Sequence, residues 1–241
     1  MPRLRRLAVP DVALHVVQRG NDRQPCFKAE GDYLVYLACL RELSVKAGCA
    51  IHAYCLMTNH VHLLLTPGRV DACSALMRNL GQRYVQYFNR RYERTGTLWE
   101  GRFRSCLVES SAYVLACYRY IERNPVRAGM VGAPLSYRWS SHAGNVGAFD
   151  DPLLTPHTEY LALAGKEGAR KSAYGSLFDV PDPPDFLAAV RDATLGGFAL
   201  TSEALKPRIT ALTGRRVERG KPGRPAERGA GADPSTGEIG L

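Results

Sequence analysis

AIHAYCLMTNHVHLLLT, residues 50–66, decides the fold. It holds two strand-like runs, 50–57 and 60–66, with only Thr58-Asn59 between them, and two residues are enough only for a tight antiparallel turn. A doubly wound parallel sheet needs strand–helix alternation throughout, and this hairpin breaks it. Upstream, VALHVVQ (12–18) reads as a strand stopped by Gly20-Asn21-Asp22. Residues 31–47 place Leu34, Leu37, Leu40 and Leu43 at helical spacing and end at Gly48. Downstream, Pro67-Gly68 breaks the chain, and a helix over 71–92 aligns Leu76, Leu80, Tyr84 and Phe88. LWEGRFRSCLV (98–108) reads as a further strand. A third helix, capped by Ser110 or Ser111, ends near Asn124-Pro125, because a residue before proline disfavours the helical region. The order strand, helix, hairpin, helix, strand, helix predicts an α+β fold: a ferredoxin-like antiparallel sheet with helices packed on one face.

The 241 residues divide into a main unit over 1–150, a loop-rich linker over 151–185 that contains PDPPD, a small helical segment over 186–214, and a disordered basic tail over 215–241. Hydrophobic residues at 45% and charged residues at 23% exclude a wholly disordered chain. VHLLL (61–65) is far too short to span a membrane. MPRLRRLAVPDVAL lacks the apolar block of a secretion signal, so a soluble cytoplasmic protein is expected. Seven cysteines, an odd number with no CxxC, argue against a disulfide framework and a zinc ribbon and fit small core residues.

The net charge of +9 is carried mostly by arginine, whose forked guanidinium suits phosphate, so a polyanion is the expected partner. Arg78, Arg83, Arg90, Arg91, Arg94, Arg102 and Arg104 crowd residues 78–104 against only Glu93 and Glu100. Tyr84, Tyr87, Phe88, Tyr92, Trp99 and Phe103 are interleaved with them. Cations for phosphates and flat rings for unstacked bases are what a single-strand groove requires, although a solvated basic helix face has the same composition. Arg19, after the first strand, and Arg215, Arg216 and Arg224 in the tail extend the basic set.

Two elements bear on chemistry. In His60-Val61-His62, residues i and i+2 of a strand project from one face, so both imidazoles sit on the open sheet surface within reach of one divalent ion. Val61, Leu63 and Leu65 then face the helices. In SAYVLACYRYIERN (111–124), Val114, Leu115, Tyr118 and Ile121 form the apolar side. Tyr120 points away from Tyr118, and Asn124 lies one turn beyond Tyr120 on the same stripe.

HVVQRGNDRQPCF (15–27), YCLMTNHVHLLLTP (54–67), GTLWEGRFRSCLVES (96–110) and YVLACYRYIERNPVRAGMV (113–131), in this order, resemble the REP-associated tyrosine transposases. These are relatives of the single-tyrosine HUH transposases of small insertion sequences. The resemblance covers about residues 1–145, and GFAL…LTGRRVERGKPGRP is similar to the family's tail. It implies that Tyr120 is the nucleophile and that His60, His62 and Asn124 hold Mg²⁺ or Mn²⁺. It further implies a 5′-phosphotyrosine intermediate and a single-stranded DNA substrate with hairpins, typically repetitive extragenic palindromes. Such an enzyme would be nucleoid-associated and work as a monomer or homodimer, with the tyrosine in cis or in trans. Two other readings remain: a hairpin-binding protein that does not cleave, and an RNA-binding sheet of the kind that stacks bases on exposed aromatics.

Overall fold

The structure is a computed structural model that describes residues 6–109 and 111–218. Ser110, Arg224 and the tail from residue 219 lie outside the described residues. The expected order is present: β1 (Ala13–Arg19), α1 (Glu30–Ala47), β2 (Cys49–Met57), β3 (His60–Pro67), α2 (Ala72–Arg91), β4 (Arg104–Glu109) and α3 (Ser111–Glu122). There follow α4 (Asn124–Arg127), α5 (His142–Asn145), α6 (Thr158–Leu161), α7 (Glu167–Ser176), α8 (Pro184–Gly196), β5 (Ala199–Thr201) and α9 (Lys206–Thr213). The strands lie in the order β2-β3-β1-β4-β5. β1 is antiparallel to both β3 and β4, and β2 to β3. This is the α+β, ferredoxin-like sheet the hairpin predicts.

Local chemistry sets the element ends. Asp32 starts α1 by accepting from the backbone N–H groups of Lys28 and Ala29 at 2.8 and 3.0 Å. Gly48 ends it at φ 68°, a left-handed value that a side chain disfavours. After β1, Gly20 donates to the Asn59 carbonyl at 2.8 Å, and a Cβ there would lie 2.3 Å from the Gln24 oxygen. Only glycine fits this contact, which seats the chain after β1 against the turn that presents His60.

α1 and α2 cover one sheet face. Leu76, Leu80, Tyr84 and Phe88 are fully buried there, together with Val61, Leu63 and Leu65 of β3, as expected. Burial of each such leucine contributes about 2 kcal/mol. On α1 the buried stripe runs through Tyr36, Leu40 and Leu43 instead of all four leucines, and Leu34 stays 49% exposed. The cysteines are all free and buried, in keeping with small core residues.

Three expectations change. The strand at 98–108 begins only at Arg104, because Gly96 and Gly101 take positive φ and turn the backbone; Leu98 and Trp99 are core residues carried by a loop. β5 was not foreseen. Three residues long, it adds to β4 in parallel with Leu107 opposite Ala199. Finally, the sheet face that bears the histidines is not open. α3 and α8 pack on it, and Ala53, Cys55, Leu64 and Cys106 form a second core with Val114, Tyr118, Ile121 and Val190. Tyr160 and Tyr174, from the stretch expected to be loop-rich, are buried in that core. No helix among the described residues is long and apolar enough to cross a membrane.

Candidate active site

His60 and His62 project from β3 on the α3 side of the sheet, as the alternation requires, and Tyr120 approaches them from α3. The Tyr120 ring lies edge-on to His62, with centroids 5.8 Å apart. The His60 and His62 rings are 4.9 Å apart. All three line one cleft of about 770 Å³, with Asn124 from the start of α4. Tyr118 points into the second core against Tyr160 and Tyr174, so the sequence divides the two tyrosines correctly.

The tyrosine helix is fixed from behind. Glu122, fully buried, accepts from Ser141 Oγ (2.5 Å), His142 Nδ1 (2.8 Å), Asn145 Nδ2 (2.7 Å) and the Tyr174 hydroxyl (2.7 Å). Asp182, in the PDPPD stretch, is bracketed by Arg119 at 3.0 Å, Arg123 at 3.7 Å and Arg127 at 3.2 Å. Arg119 and Arg123 also donate to the Val180 carbonyl. Two buried carboxylates therefore hold α3 and α4 to the C-terminal half, one on each side of Tyr120.

The imidazoles are kept neutral. Burial and the neighbouring Arg19 push the His60 pKa down to about 4. Burial, then His15 and His60, hold His62 well below the ordinary histidine range. The His15 ring of β1 meets His62 edge to edge and nearly parallel, with centroids 5.2 Å apart, and burial takes its pKa to about 3. Neutral imidazole is the form that binds a metal. The Asn124 amide nitrogen is buried without a hydrogen-bond partner, an atom that a bound group would satisfy directly or after exchange of the amide ends. Among the described residues no three His, Cys, Asp or Glu side chains converge as a metal cluster. The residues that would hold an ion here are two imidazoles and one amide. That mixed nitrogen and oxygen set fits Mg²⁺ or Mn²⁺.

The basic residues separate. Arg19, Arg102, Arg104 and Arg215 line the cleft. Arg83, Arg90 and Arg91 do not: they stand on α2, across the sheet, where Arg83 pairs with Glu42 at 2.5 Å and Arg91 lies 3.5 Å from Asp32. Arg216 is exposed just beyond the cleft. Sequence reasoning missed Arg6, Arg127, Arg191, His15 and Thr194, all in the cleft wall. Arg127 follows Asn124-Pro125 by two residues, a nearness that could have pointed to it; the others are remote in sequence.

Residues 8–124 match the transposase family described as IS200-like. The match spans just under half of the chain, and over these residues the chain is similar to the IS200-like transposases. In the structure of a REP-associated tyrosine transposase bound to a REP hairpin, the matched chain is 17% identical. The match covers 66% of this chain and 93% of that chain, with a TM-score of 0.53, and shows a shared fold. A transposase-like chain from Deinococcus radiodurans is 23% identical over 46% of this chain and 89% of its own, with a TM-score of 0.36. No curated protein sequence matches this chain.

Proposed function

We propose that the protein is an HUH-type, metal-dependent endonuclease and strand transferase acting on single-stranded DNA that contains hairpins, with repetitive extragenic palindromes as the substrate class. The observation that carries this reading is the convergence of Tyr120, His60, His62 and Asn124 on one arginine-lined cleft. The hairpin partner is supported by the shared fold with a transposase bound to a REP hairpin. Such a partner would keep the protein on the nucleoid.

His60, His62 and Asn124 would hold the divalent cation, which when bound polarises a nonbridging oxygen of the scissile phosphate. The arginines of the wall bind the flanking phosphates and set the strand in line with Tyr120. The Tyr120 oxygen attacks phosphorus as the bond to the 3′ oxygen breaks. The phenolic proton passes to water, the leaving oxygen takes one up as a 3′-OH, and the 5′ phosphate stays on the tyrosine. A phenol is a weak nucleophile at neutral pH, so a positive site is needed to favour its oxyanion. Because the linkage keeps the phosphodiester energy, a 3′-OH can reverse the step and join strands without a nucleotide cofactor. One chain supplies every residue named, so this reading uses Tyr120 in cis.

The test is incubation with single-stranded hairpin DNA and Mn²⁺, followed by denaturing electrophoresis. A protein–DNA adduct in the wild type, absent from Tyr120→Phe, is expected, with hairpin binding by the variant kept within about tenfold. Binding without any adduct would favour the non-cleaving reading.

A further inference from the structure

We propose that His15 and Thr194 are positioning residues that decide which ring nitrogen of His62 carries the proton, and so present its Nε2 lone pair to a divalent cation. This rests on the metal-dependent reading above.

Three contacts run in series. His62 Nδ1 lies 2.9 Å from His15 Nε2, His15 Nδ1 lies 3.0 Å from Thr194 Oγ1, and Thr194 Oγ1 lies 2.7 Å from the Val190 carbonyl oxygen. A carbonyl can only accept, and a hydroxyl has one proton, so the short contact to Val190 takes the Thr194 proton. Thr194 then offers His15 a lone pair, and His15 Nδ1 must donate. Neutral imidazole has one N–H, so His15 Nε2 accepts from His62 Nδ1. What remains on His62 is the Nε2 lone pair.

His60 reaches the same state independently, since its Nδ1 lies 2.6 Å from the Asn59 side-chain oxygen, an acceptor. Both imidazoles therefore carry the proton on Nδ1 and leave Nε2 available, an agreement that core packing alone does not require. Metal-bound histidines usually have the other nitrogen held this way, and loss of such a partner costs about 10–100-fold in metal affinity. The sheet brings the two rings together: His62 stands opposite Val17, two residues along β1 from His15, and the imidazoles lie within 4° of parallel. The end of the series is more telling. Val190 and Thr194 are one turn apart on α8, outside residues 8–124. The C-terminal half thus sets the state of a ligand in the family-matched half.

The test uses the full chain. Nitrogen-15 NMR of histidine-labelled, metal-free protein, with His62 assigned through a His62→Gln variant, reads the tautomer directly. The expected result is protonated Nδ1 and bare Nε2 in the wild type, with a shift toward Nε2–H in Thr194→Val. Mn²⁺ titration followed by electron paramagnetic resonance should show an affinity loss of about 10–100-fold in Thr194→Val, none in Thr194→Ser, and the largest loss in His62→Gln. Wild-type His62 protonated on Nε2 overturns the proposal, and does not depend on how the Thr194 variants fold. Unchanged Mn²⁺ affinity in Thr194→Val also overturns it; if His62→Gln still loses the ion, the metal reading survives that failure. Equal Mn²⁺ binding by His62→Gln and wild type, or none by either, sinks both.

Discussion

The Arg127 guanidinium lies over the Tyr120 ring, 4.5 Å from its centroid, and donates to the Tyr120 carbonyl. Asp182 holds it from the other side. A fixed cation is thus in place over the ring of the tyrosine proposed as nucleophile, and Asp182 and the Tyr120 carbonyl set its position. Arg127→Gln should lower the cleavage rate at saturating hairpin by about 10–100-fold, the range for loss of one preorganised electrostatic contact. Binding should fall much less, because Arg127 is one of several cations in the cleft. Single-turnover kinetics beside equilibrium binding separates the two. A loss confined to affinity would make Arg127 a phosphate anchor only.

The covered histidine face changes what alanine does there. His62 is 5% exposed and holds His15 Nε2, so His62→Ala leaves a buried ring nitrogen unpaired and should cost about 1–3 kcal/mol in metal-free buffer. His60 is less buried and is held only by the adjacent Asn59, so His60→Ala should cost under about 1 kcal/mol. Urea midpoints read the difference. Equal costs would mean that the two rings are equally embedded.

Acid should destabilise the fold before its carboxylates titrate. His15, His52, His60 and His62 all have folded pKa values below the ordinary histidine value, chiefly from burial. The unfolded chain then takes up protons below about pH 6.5 that the folded chain refuses until about pH 4 or lower. Stability is full above pH 6.5 and is lost as pH falls through that window, by at most about 1.4 kcal/mol per pH unit for each group. His52 lies away from the cleft, bonded to the Thr155 carbonyl at 2.6 Å and Thr66 Oγ1 at 2.8 Å. His52→Gln should therefore flatten the pH dependence without touching metal affinity. A melting temperature that is constant from pH 7 to pH 4.5 would contradict the buried neutral state.

What was legible in the sequence was local. The two-residue turn after Met57 fixed the sheet class, strand alternation placed His60 and His62 on one face, and helical spacing turned Tyr120 away from Tyr118. What was not legible depended on layering. The alternation in β3 cannot say whether the histidine face is bare, since that is settled by α8, more than a hundred residues later. The same limit misassigned the arginines: helix periodicity puts Arg83, Arg90 and Arg91 on an exposed face, but not on which side of the sheet that face lies. His15 looked like any strand residue because its partners His62 and Thr194 meet it only in three dimensions. β5 is three residues held by β4 and by the Val217 carbonyl, which accepts from Ala199 N at 2.8 Å, too little pattern to read.

That division of the arginines gives the last prediction, on salt. On single strands the slope of log affinity against log salt is about −0.7 per phosphate neutralised. Arg102 and Arg104 stand at the cleft, so replacing both with glutamine should make the slope shallower by about 1.4 if each meets one phosphate. The triple replacement of Arg83, Arg90 and Arg91 should leave it unchanged, since α2 packs on the other face. The tail is tested by a cut after Glu218 and not after Thr213. The earlier cut would remove Val217, which is 3% exposed and supports β5, and would confuse loss of charge with loss of structure. Removing residues 219–241 takes away Arg219, Lys221, Arg224 and Arg228 and should flatten the slope while sparing cleavage at saturating DNA. A flattening in the α2 variant equal to that in the cleft variant would place the strand across both faces of the sheet. An unchanged slope after the cut would show that the tail meets no phosphate.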